Sequence, residues 1–237
     1  MGISVKIRPI LDEPALVAGE FLVVSDLHIG IENEFYEKGI SIPEQTGRLL
    51  SRLTALGERE GLRSLIILGD VKHLVPRTVF QERMALITFF EGLKKSFDRI
   101  VLTQGNHDVL LPELGIEICP STGFRVDDCG FFHGHAYPGE EVMEASNWFM
   151  GHEHASVELR DSFGVRSVEP CWLRIRKDNR TITVLPPFNP LLSGGIGDRF
   201  LSPVLKDVDS SSVEVYLLDG TFLGSLDIIR RRYARTV

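Results

Sequence analysis

All seven histidines of this chain lie within five short motifs that also carry aspartate, asparagine and glycine. Imidazole is the commonest metal ligand in proteins and a natural proton donor near neutral pH. Since no histidine is left for an ordinary packing role, the motifs predict one metal site with proton-transfer chemistry. In chain order they are Ser25-Asp26-Leu27-His28, Gly69-Asp70-Val71-Lys72-His73, Gly105-Asn106-His107-Asp108, His133-Gly134-His135 and Gly151-His152-Glu153-His154.

The residue types in these motifs indicate which metals would bind. Aspartate, asparagine and histidine together suit divalent ions of intermediate hardness, whereas carboxylates alone would indicate Mg²⁺ or Ca²⁺. We expect Mn²⁺ first, with Fe²⁺, Zn²⁺, Ni²⁺ or Co²⁺ as alternatives. The candidate ligands are too many for one ion but suit two ions that share a carboxylate: Asp26, His28, Asp70, Asn106, His133, His152 and His154.

Each motif has an ordinary explanation when it is taken alone. A single Asp-x-His or His-x-His is common, Gly-Asp after a strand is a frequent turn, and Gly-Asn-His-Asp could cap a helix. The metal site is favoured because all five occur in one chain, in order, and directly after predicted strands.

The first half of the chain has the pattern of an α/β fold. Continuous apolar runs predict buried strands, and apolar residues at helical spacing predict helices between them. Because the carboxyl ends of parallel strands meet in one crevice, Asp26, Asp70 and Asn106 should converge. The predicted strands cover residues 4–7, 21–24, 64–68 and 99–102, and the predicted helices cover about 43–60 and 78–95.

The second half is predicted to be mostly β-structure. His133 and His152 follow two of its strands, and Asp219-Gly220 is typical of a hairpin turn. A single domain over residues 1–237 with two sheets is therefore expected. The predicted strands cover residues 116–118, 130–132, 148–150, 173–176, 213–217 and 221–223.

Composition limits the class of protein. The chain is 43% hydrophobic and 25% charged, which is typical of a folded globular protein. It has no apolar run of the roughly 20 residues needed to cross a bilayer and no signal-peptide pattern at its start, so we expect a cytoplasmic protein without a membrane partner. The net charge of −7 argues against coating nucleic acid through bulk charge, but leaves a locally held nucleic-acid substrate open.

Together the five motifs resemble the calcineurin-like metallophosphoesterase superfamily, whose blocks read DxH, GDxx, GNH(D/E), HGH and GHxH. The resemblance spans residues 26–154. It implies a four-layer α/β/β/α sandwich of two mixed sheets. It also implies that one metal is held by Asp26, His28, Asp70 and His154, and the other by Asp70, Asn106, His133 and His152, with Asp70 bridging.

Two segments are similar to the branch called DNA ligase-associated or ICC-like phosphoesterases. They are residues 69–73 and the segment Leu185-Pro186-Pro187-Phe188-Asn189-Pro190-Leu191-Leu192-Ser193-Gly194-Gly195. This branch implies phosphodiester substrates such as DNA or nucleotides, and an association with DNA repair or ligation proteins. The arginines of the phosphoprotein phosphatase motifs GDxVDRG and RGNHE are absent from residues 69–73 and 104–108, which argues against a protein phosphatase.

Further residues in and near the motifs have candidate roles in phosphoester hydrolysis. His107 is the candidate general acid that protonates the leaving alkoxide, and Asp108 would orient its ring and raise its pKa, although His107 could instead serve only as a supporting hydrogen-bond partner. His73 and His135 would contact substrate phosphate or buttress the site. Lys72 and Arg77 are candidate phosphate-binding cations, although exposed cations are usually only solvated. The basic run Arg230-Arg231-Arg232-Tyr233-Ala234-Arg235 could contact nucleic acid or be a solvated face.

The sequence thus predicts a two-metal hydrolase that cleaves phosphodiester bonds of nucleic acid or nucleotides with a metal-bridging hydroxide. The alternatives are a small-molecule phosphomonoesterase and a metal-binding scaffold without catalysis. A scaffold should show substituted ligands, and this chain has none. A nuclease should have a groove with cations or stacking aromatic residues. The sequence does not indicate an oligomeric state.

Overall fold

The computed structural model describes residues 5–76, 79–160, 163–192, 196 and 199–233. Within these residues the chain forms two mixed β-sheets that pack face to face, with helices on the outer face of each sheet. The four-layer α/β/β/α sandwich expected from the sequence is confirmed.

The first sheet contains the predicted parallel strands. Its strands are β1 (Ile7–Pro9), β2 (Leu16–Ala18), β3 (Phe21–Val24), β4 (Ser64–Ile67), β5 (Arg99–Thr103) and β6 (Glu117–Cys119), side by side in this order. From β3 to β6 neighbouring strands run parallel, whereas β1 pairs antiparallel with β2 and β2 with β3. The parallel strands therefore end at one edge, where three of the polar motifs begin.

Side chains of β3 alternate between the two faces of this sheet. Leu22 and Val24 pack against the outer helices, whereas Phe21 and Val23 face the second sheet. Successive residues of a strand point to opposite faces, and here both faces are covered. All four residues are buried, which explains why the strand appears in the sequence as an unbroken apolar run.

Five α-helices lie in the described part of the chain: α1 (Glu32–Glu37), α2 (Thr46–Glu60), α3 (Phe80–Leu93), α4 (Glu140–Met143) and α5 (Leu226–Tyr233). α2 and α3 cover the first sheet. Of the leucines that predicted α2, Leu49, Leu53 and Leu56 are buried there and Leu50 is partly buried. α4 and α5 cover the second sheet through residues such as Val142 and Leu226.

The second sheet carries the remaining strands. They are β7 (Phe124–Val126), β8 (Cys129–Phe131), β9 (Asn147–Met150), β10 (Ser156–Arg160), β11 (Arg166–Lys177), β12 (Arg180–Val184), β13 (Val213–Leu217) and β14 (Phe222–Ser225). Their order is β14-β13-β11-β12-β9-β8-β7, and β10 pairs with β11. β8, β9 and β12 are parallel neighbours and the other pairs are antiparallel. The hairpin predicted at Asp219-Gly220 joins β13 to β14.

Some elements differ from the sequence prediction. β1 begins at Ile7 instead of at residue 4, which lies outside the described residues. The elements that were not predicted are β2, β7, β10, β12, α1, α4 and α5. β2 has only three residues, all buried, and α1 buries none of its residues, so neither has a pattern that periodicity can detect. Among the described residues, none of the helices combines the length and apolar character that crossing a membrane requires.

Candidate metal centre

The polar motifs meet where strands of both sheets end. In the first sheet, Asp26 and His28 follow β3, Asp70 follows β4 and Asn106 follows β5. The loops after β3 and β4 are joined through the backbone, since the His28 N–H donates to the Asp70 carbonyl over 2.9 Å. From the second sheet, residues 133 and 152 follow β8 and β9. The predicted convergence of the motifs is therefore present.

The first group of candidate ligands is Asp26, His28, Asp70 and His154. One donor atom from each lies within 4.8 Å of the others. His28 Nε2 is 3.4 Å from Asp70 Oδ2, and His154 Nε2 is 3.4 Å from Asp26 Oδ1. This spacing of nitrogen and carboxylate oxygen atoms suits a cation bound among them.

The second group contains Asp70, His133 and His152, again with donor atoms within 4.8 Å of one another. His133 Nε2 lies 3.3 Å from Asp70 Oδ2 and 3.2 Å from Asn106 Oδ1. The same Asp70 oxygen thus faces His28 in the first group and His133 in the second. A carboxylate shared in this way could bridge two cations.

Two imidazoles have the hydrogen-bonding state that metal ligation needs. His133 Nδ1 lies 2.7 Å from the Leu68 carbonyl, so Nδ1 carries a proton and donates, and Nε2 is the nitrogen that faces Asp70 and can bind a cation once it is deprotonated. His28 Nε2 is buried and has no hydrogen-bond partner in the described part of the chain. A buried nitrogen without a partner is unfavourable unless something binds it, and a cation fits this position.

The backbone at the site is held in an uncommon conformation. Five candidate ligands have positive φ between 41° and 71°: Asp26, His28, Asp70, His152 and His154. The left-handed region is unfavourable for residues other than glycine, although aspartate and histidine tolerate it better than most. Such conformations persist where the surrounding structure fixes them, and they concentrate at functional sites.

Two glycines are required by close approach between loops. A Cβ on Gly105 would lie 2.1 Å from Asp70 Oδ1, and a Cβ on Gly151 would lie 1.6 Å from Ser25 Oγ. Side chains at either position would displace a carboxylate of the site, because the Gly151 Cβ would also lie 2.6 Å from Asp26 Oδ2.

Burial and charge shift the pKa values of the candidate ligands in opposite directions. Burial lowers the pKa of His28 and of His152 to about 4. Burial also disfavours a charged His133, but the carboxylate of Asp70 outweighs it and raises the pKa of His133 to about 9. Burial alone would raise the pKa of Asp70 and Asp26, yet the neighbouring histidines hold both below the usual range. The carboxylates therefore stay ionised and attract cations.

His107 lies beside these groups with its ring fixed at one nitrogen. Its Nδ1 is 2.6 Å from the His73 carbonyl, and its backbone N–H donates to Asp70 Oδ1 over 2.9 Å. Its ring centroid is 4.6 Å from that of His28. With Nδ1 engaged by the carbonyl, Nε2 is the nitrogen available for proton transfer.

Asp108 does not orient the His107 ring as the sequence had suggested. Its buried carboxylate accepts hydrogen bonds from the backbone N–H groups of Asp70, Val71 and Gly105 over 2.7, 2.8 and 2.9 Å. Both oxygens are therefore used to fix the loops that carry the ligands. Burial is the main reason that the pKa of Asp108 is raised to about 6.

The other residues that were predicted to contact substrate lie in different surroundings. His73 Nε2 lies 2.6 Å from Glu34 Oε2. His135 is partly buried, with its ring centroid 5.3 Å from that of His133. The proposal that Lys72 binds phosphate is wrong, because its side chain is fully buried and its ammonium group contacts the Leu74 carbonyl. Arg77, a predicted phosphate contact, lies outside the described residues.

The chain can be placed among known proteins by comparison. A family model described as calcineurin-like phosphoesterase matches residues 19–208, a span that includes all seven candidate ligands. The chain belongs to this family. It is therefore a metal-dependent phosphoesterase, as the motifs predicted. Among curated proteins, no sequence matches it.

The chain is similar to several solved structures, and the first named here shares its fold. The nuclease MPE of Pseudomonas putida is 22% identical with a TM-score of 0.60, and the alignment covers 90% of this chain and 98% of that one. The phosphoesterase Yfce of E. coli is 15% identical with a TM-score of 0.41, covering 86% and 96%. A protein of Streptococcus pneumoniae TIGR4 described as a predicted phosphoesterase is 15% identical with a TM-score of 0.33, covering 85% and 91%.

Two polar residues that sequence reasoning missed support the phosphoesterase site. Asn189 donates to the Leu27 carbonyl over 2.8 Å, so the proline-rich segment contacts the first motif at this residue. Residues 193–195 of that segment lie outside the described residues. Glu153, between the two histidines of the last motif, accepts from the Leu201 and Ser202 N–H groups over 3.1 and 2.7 Å. Glu153 belongs to the Gly-His-Glu-His motif, but the motif does not indicate these hydrogen-bond partners.

The C-terminal arginine run of this phosphoesterase lies partly in α5. Arg231 pairs with Asp227 over 3.5 Å within the helix. The guanidinium group of Arg230 lies over the Phe200 ring, 5.7 Å from its centroid. Arg235 lies outside the described residues. The first two arginines thus have intramolecular contacts, and a nucleic-acid contact of the run stays a prediction.

Proposed function

We propose that this phosphoesterase hydrolyses phosphodiester bonds of nucleic acid or nucleotides with two divalent cations. The observation that carries the proposal is the position of Asp70 Oδ2, 3.4 Å from His28 Nε2 and 3.3 Å from His133 Nε2. One carboxylate oxygen faces two sets of donors, which favours a metal pair over a single ion. The proposed ligands are Asp26, His28, Asp70, Asn106, His133, His152 and His154.

The donor set fits the expected metals. Four imidazoles with carboxylate and amide oxygens suit Mn²⁺, Fe²⁺, Zn²⁺, Ni²⁺ or Co²⁺, whereas Ca²⁺ prefers oxygen alone, and Mn²⁺ is the ion that we propose. When bound, such ions would supply an activated water nucleophile and positive charge against the phosphoryl oxygens.

His107 is proposed as the general acid for the leaving oxygen. Because the His73 carbonyl holds Nδ1, the proton would be delivered from Nε2. Asp70 Oδ1 accepts the His107 backbone N–H, which sets the spacing between this ring and the metal ligands. A positioned acid of this kind contributes roughly 10²–10⁴-fold to a rate. Asp108 acts by fixing the loops, and His135 is proposed to contact substrate phosphate.

Exposed aromatic residues that lie close in the sequence to the motifs favour a nucleic-acid or nucleotide substrate. Tyr36, Phe80 and Tyr137 are 76%, 73% and 66% exposed. Tyr137 comes two residues after His135, and Tyr36 is two residues from Glu34, which contacts His73. Aromatic side chains next to a phosphate site can stack on bases. The P. putida neighbour is described as a nuclease, which agrees with this substrate class.

A side-by-side assay tests the proposal. Single-stranded DNA, duplex DNA, cyclic nucleotides and phosphomonoesters are incubated with protein that has been chelated and reloaded with Mn²⁺. Hydrolysis of a diester that is lost in Asp70→Asn supports the proposal. Turnover of monoesters alone would favour the phosphomonoesterase, and metal binding without turnover would favour the scaffold. Asp178→Asn is a matched control, since Asp178 also has positive φ, 54°, but is exposed in a turn between β11 and β12.

Three further expectations from the sequence belong to this proposal. We propose that residues 1–237 form one domain, because both sheets contribute candidate ligands to each group; limited proteolysis should yield no stable fragment that retains Mn²⁺. We also propose a cytoplasmic location and an association with DNA repair or ligation proteins. Cell fractionation and affinity purification of the tagged protein test these two.

A further inference from the structure

We infer that Glu34 is a positioning residue of the metal centre, which acts through His73 to fix the ring orientation and the proton position of His28. The inference rests on the proposed function, in which His28 binds metal. Glu34 lies on α1, outside the five motifs, and it does not itself reach the candidate ligands.

The three side chains form a continuous chain of contacts. Glu34 Oε2 lies 2.6 Å from His73 Nε2, and His73 Nδ1 lies 3.1 Å from His28 Nδ1. On the far side of its ring, His28 Nε2 is 3.4 Å from Asp70 Oδ2. The rings of His28 and His73 meet edge to face, with an angle of 60° between their planes.

These contacts allow one arrangement of protons when His28 binds a cation. A neutral imidazole carries one N–H, so a lone pair on His28 Nε2 requires the proton on Nδ1. That proton is donated to His73 Nδ1, which must then be unprotonated. The proton of His73 therefore lies on Nε2 and is donated to the Glu34 carboxylate. The opposite arrangement would place a proton on His28 Nε2 and remove it as a ligand.

The backbone of His73 is fixed independently. Its N–H donates to Glu82 Oε1 over 3.1 Å, and its carbonyl lies 2.6 Å from His107 Nδ1. With the backbone held and both ring nitrogens engaged, Glu34 decides which way the His73 imidazole presents its lone pair. Of the two roles that the sequence left open for His73, this geometry favours buttressing over contact with phosphate.

Isothermal titration of the chelated full-length protein with Mn²⁺ tests the role. Partners that orient metal-bound histidines typically change metal affinity by 10–100-fold. Glu34→Ala should weaken Mn²⁺ binding by about tenfold. Glu34→Gln should retain most of the affinity, because its amide oxygen can accept the same N–H. Lys38→Met removes the salt bridge to the other Glu34 oxygen and should leave the affinity unchanged.

Nitrogen-15 NMR of the Zn²⁺-loaded protein supplies a readout that a loss of helix stability would not move. His73 should show protonated Nε2 and unprotonated Nδ1 in the wild type, and a mixture of tautomers in Glu34→Ala. Equal weakening of Mn²⁺ binding by Glu34→Ala and Lys38→Met, or an unchanged tautomer, would overturn the role of Glu34.

His28→Ala separates this inference from the proposed function. If Mn²⁺ affinity is unchanged in His28→Ala, the proposed metal centre is wrong, and the role of Glu34 falls with it. If His28→Ala weakens binding while Glu34→Ala does not, only the role of Glu34 is wrong.

Discussion

Lys72→Met is expected to destabilise the metal-free protein by about 3–5 kcal/mol, the cost of leaving one partner of a buried ion pair uncompensated. Lys72 Nζ and Glu82 Oε2 lie 4.0 Å apart, and both side chains are 0% exposed. At this separation and an effective dielectric constant of about 20, their attraction is about 4 kcal/mol. Methionine has a similar volume, so the change removes the charge and leaves the packing nearly intact.

The double variant Lys72→Met/Glu82→Gln should recover most of that loss. Glu82 Oε1 accepts the N–H groups of His73 and Leu74 over 3.1 and 2.8 Å, and a glutamine oxygen can accept both. With neither charge buried, we expect a stability within about 1–2 kcal/mol of the wild type, since neutral replacement of a buried pair is often tolerated.

Urea unfolding of chelated protein, followed by tryptophan fluorescence, measures these differences, and equal m-values would show that the denatured states are comparable. Arg63→Met is a control for an exposed pair, because Arg63 and Asp98 lie 2.6 Å apart but are 61% and 68% exposed. It should change stability little. A single variant as stable as the wild type, or a double variant no better than the single one, would refute the reasoning.

Three further outcomes are expected. Chelation should lower the melting temperature without abolishing the circular dichroism signal of the folded protein, and adding Mn²⁺ should restore the melting temperature. Unfolding on chelation would contradict this expectation. Mn²⁺ binding at pH 7 should release protons, because the pKa of His133 in the metal-free protein is raised to about 9 and its proton must leave. Affinity should therefore rise as pH increases toward 9, as calorimetry in buffers of different ionisation enthalpy can check. His107→Ala should reduce hydrolysis of diesters with poor leaving groups by roughly 10²–10⁴-fold and that of activated aryl diesters much less; equal losses would exclude the general acid.

The sequence was sufficient for the strands that carry the site because their burial is visible in the local pattern of residues. β3 is buried on both faces, so it appears as an apolar run that ends just before Asp26. The rule that parallel strands end at one edge then predicts that the motifs after β3, β4 and β5 converge. The structure confirms that these motifs converge.

Contacts between distant residues could not be obtained in this way. Glu34 and His73 are 39 residues apart in the chain, and α1 buries none of its residues, so no pattern identifies the helix or its glutamate. Lys72 and Asp108 are polar residues within functional motifs, which suggested contact with substrate or with a catalytic ring. Their actual partners are buried backbone groups and Glu82, and a local pattern carries no information about such partners.

Both groups of candidate ligands combine residues from the two sheets. The fold nevertheless does not depend on metal binding for its stability. His154 from the second sheet joins three residues of the first, and Asp70 from the first joins His133 and His152. A cation in either group would link the sheets at this edge. Away from it the sheets are held by buried apolar residues such as Phe131 and Phe149, whose packing needs no metal. Without cations, the carboxylates of Asp26 and Asp70 repel each other, and this repulsion is confined to the metal centre. This distinguishes the protein from small zinc domains, in which the energy of metal binding is the energy of folding.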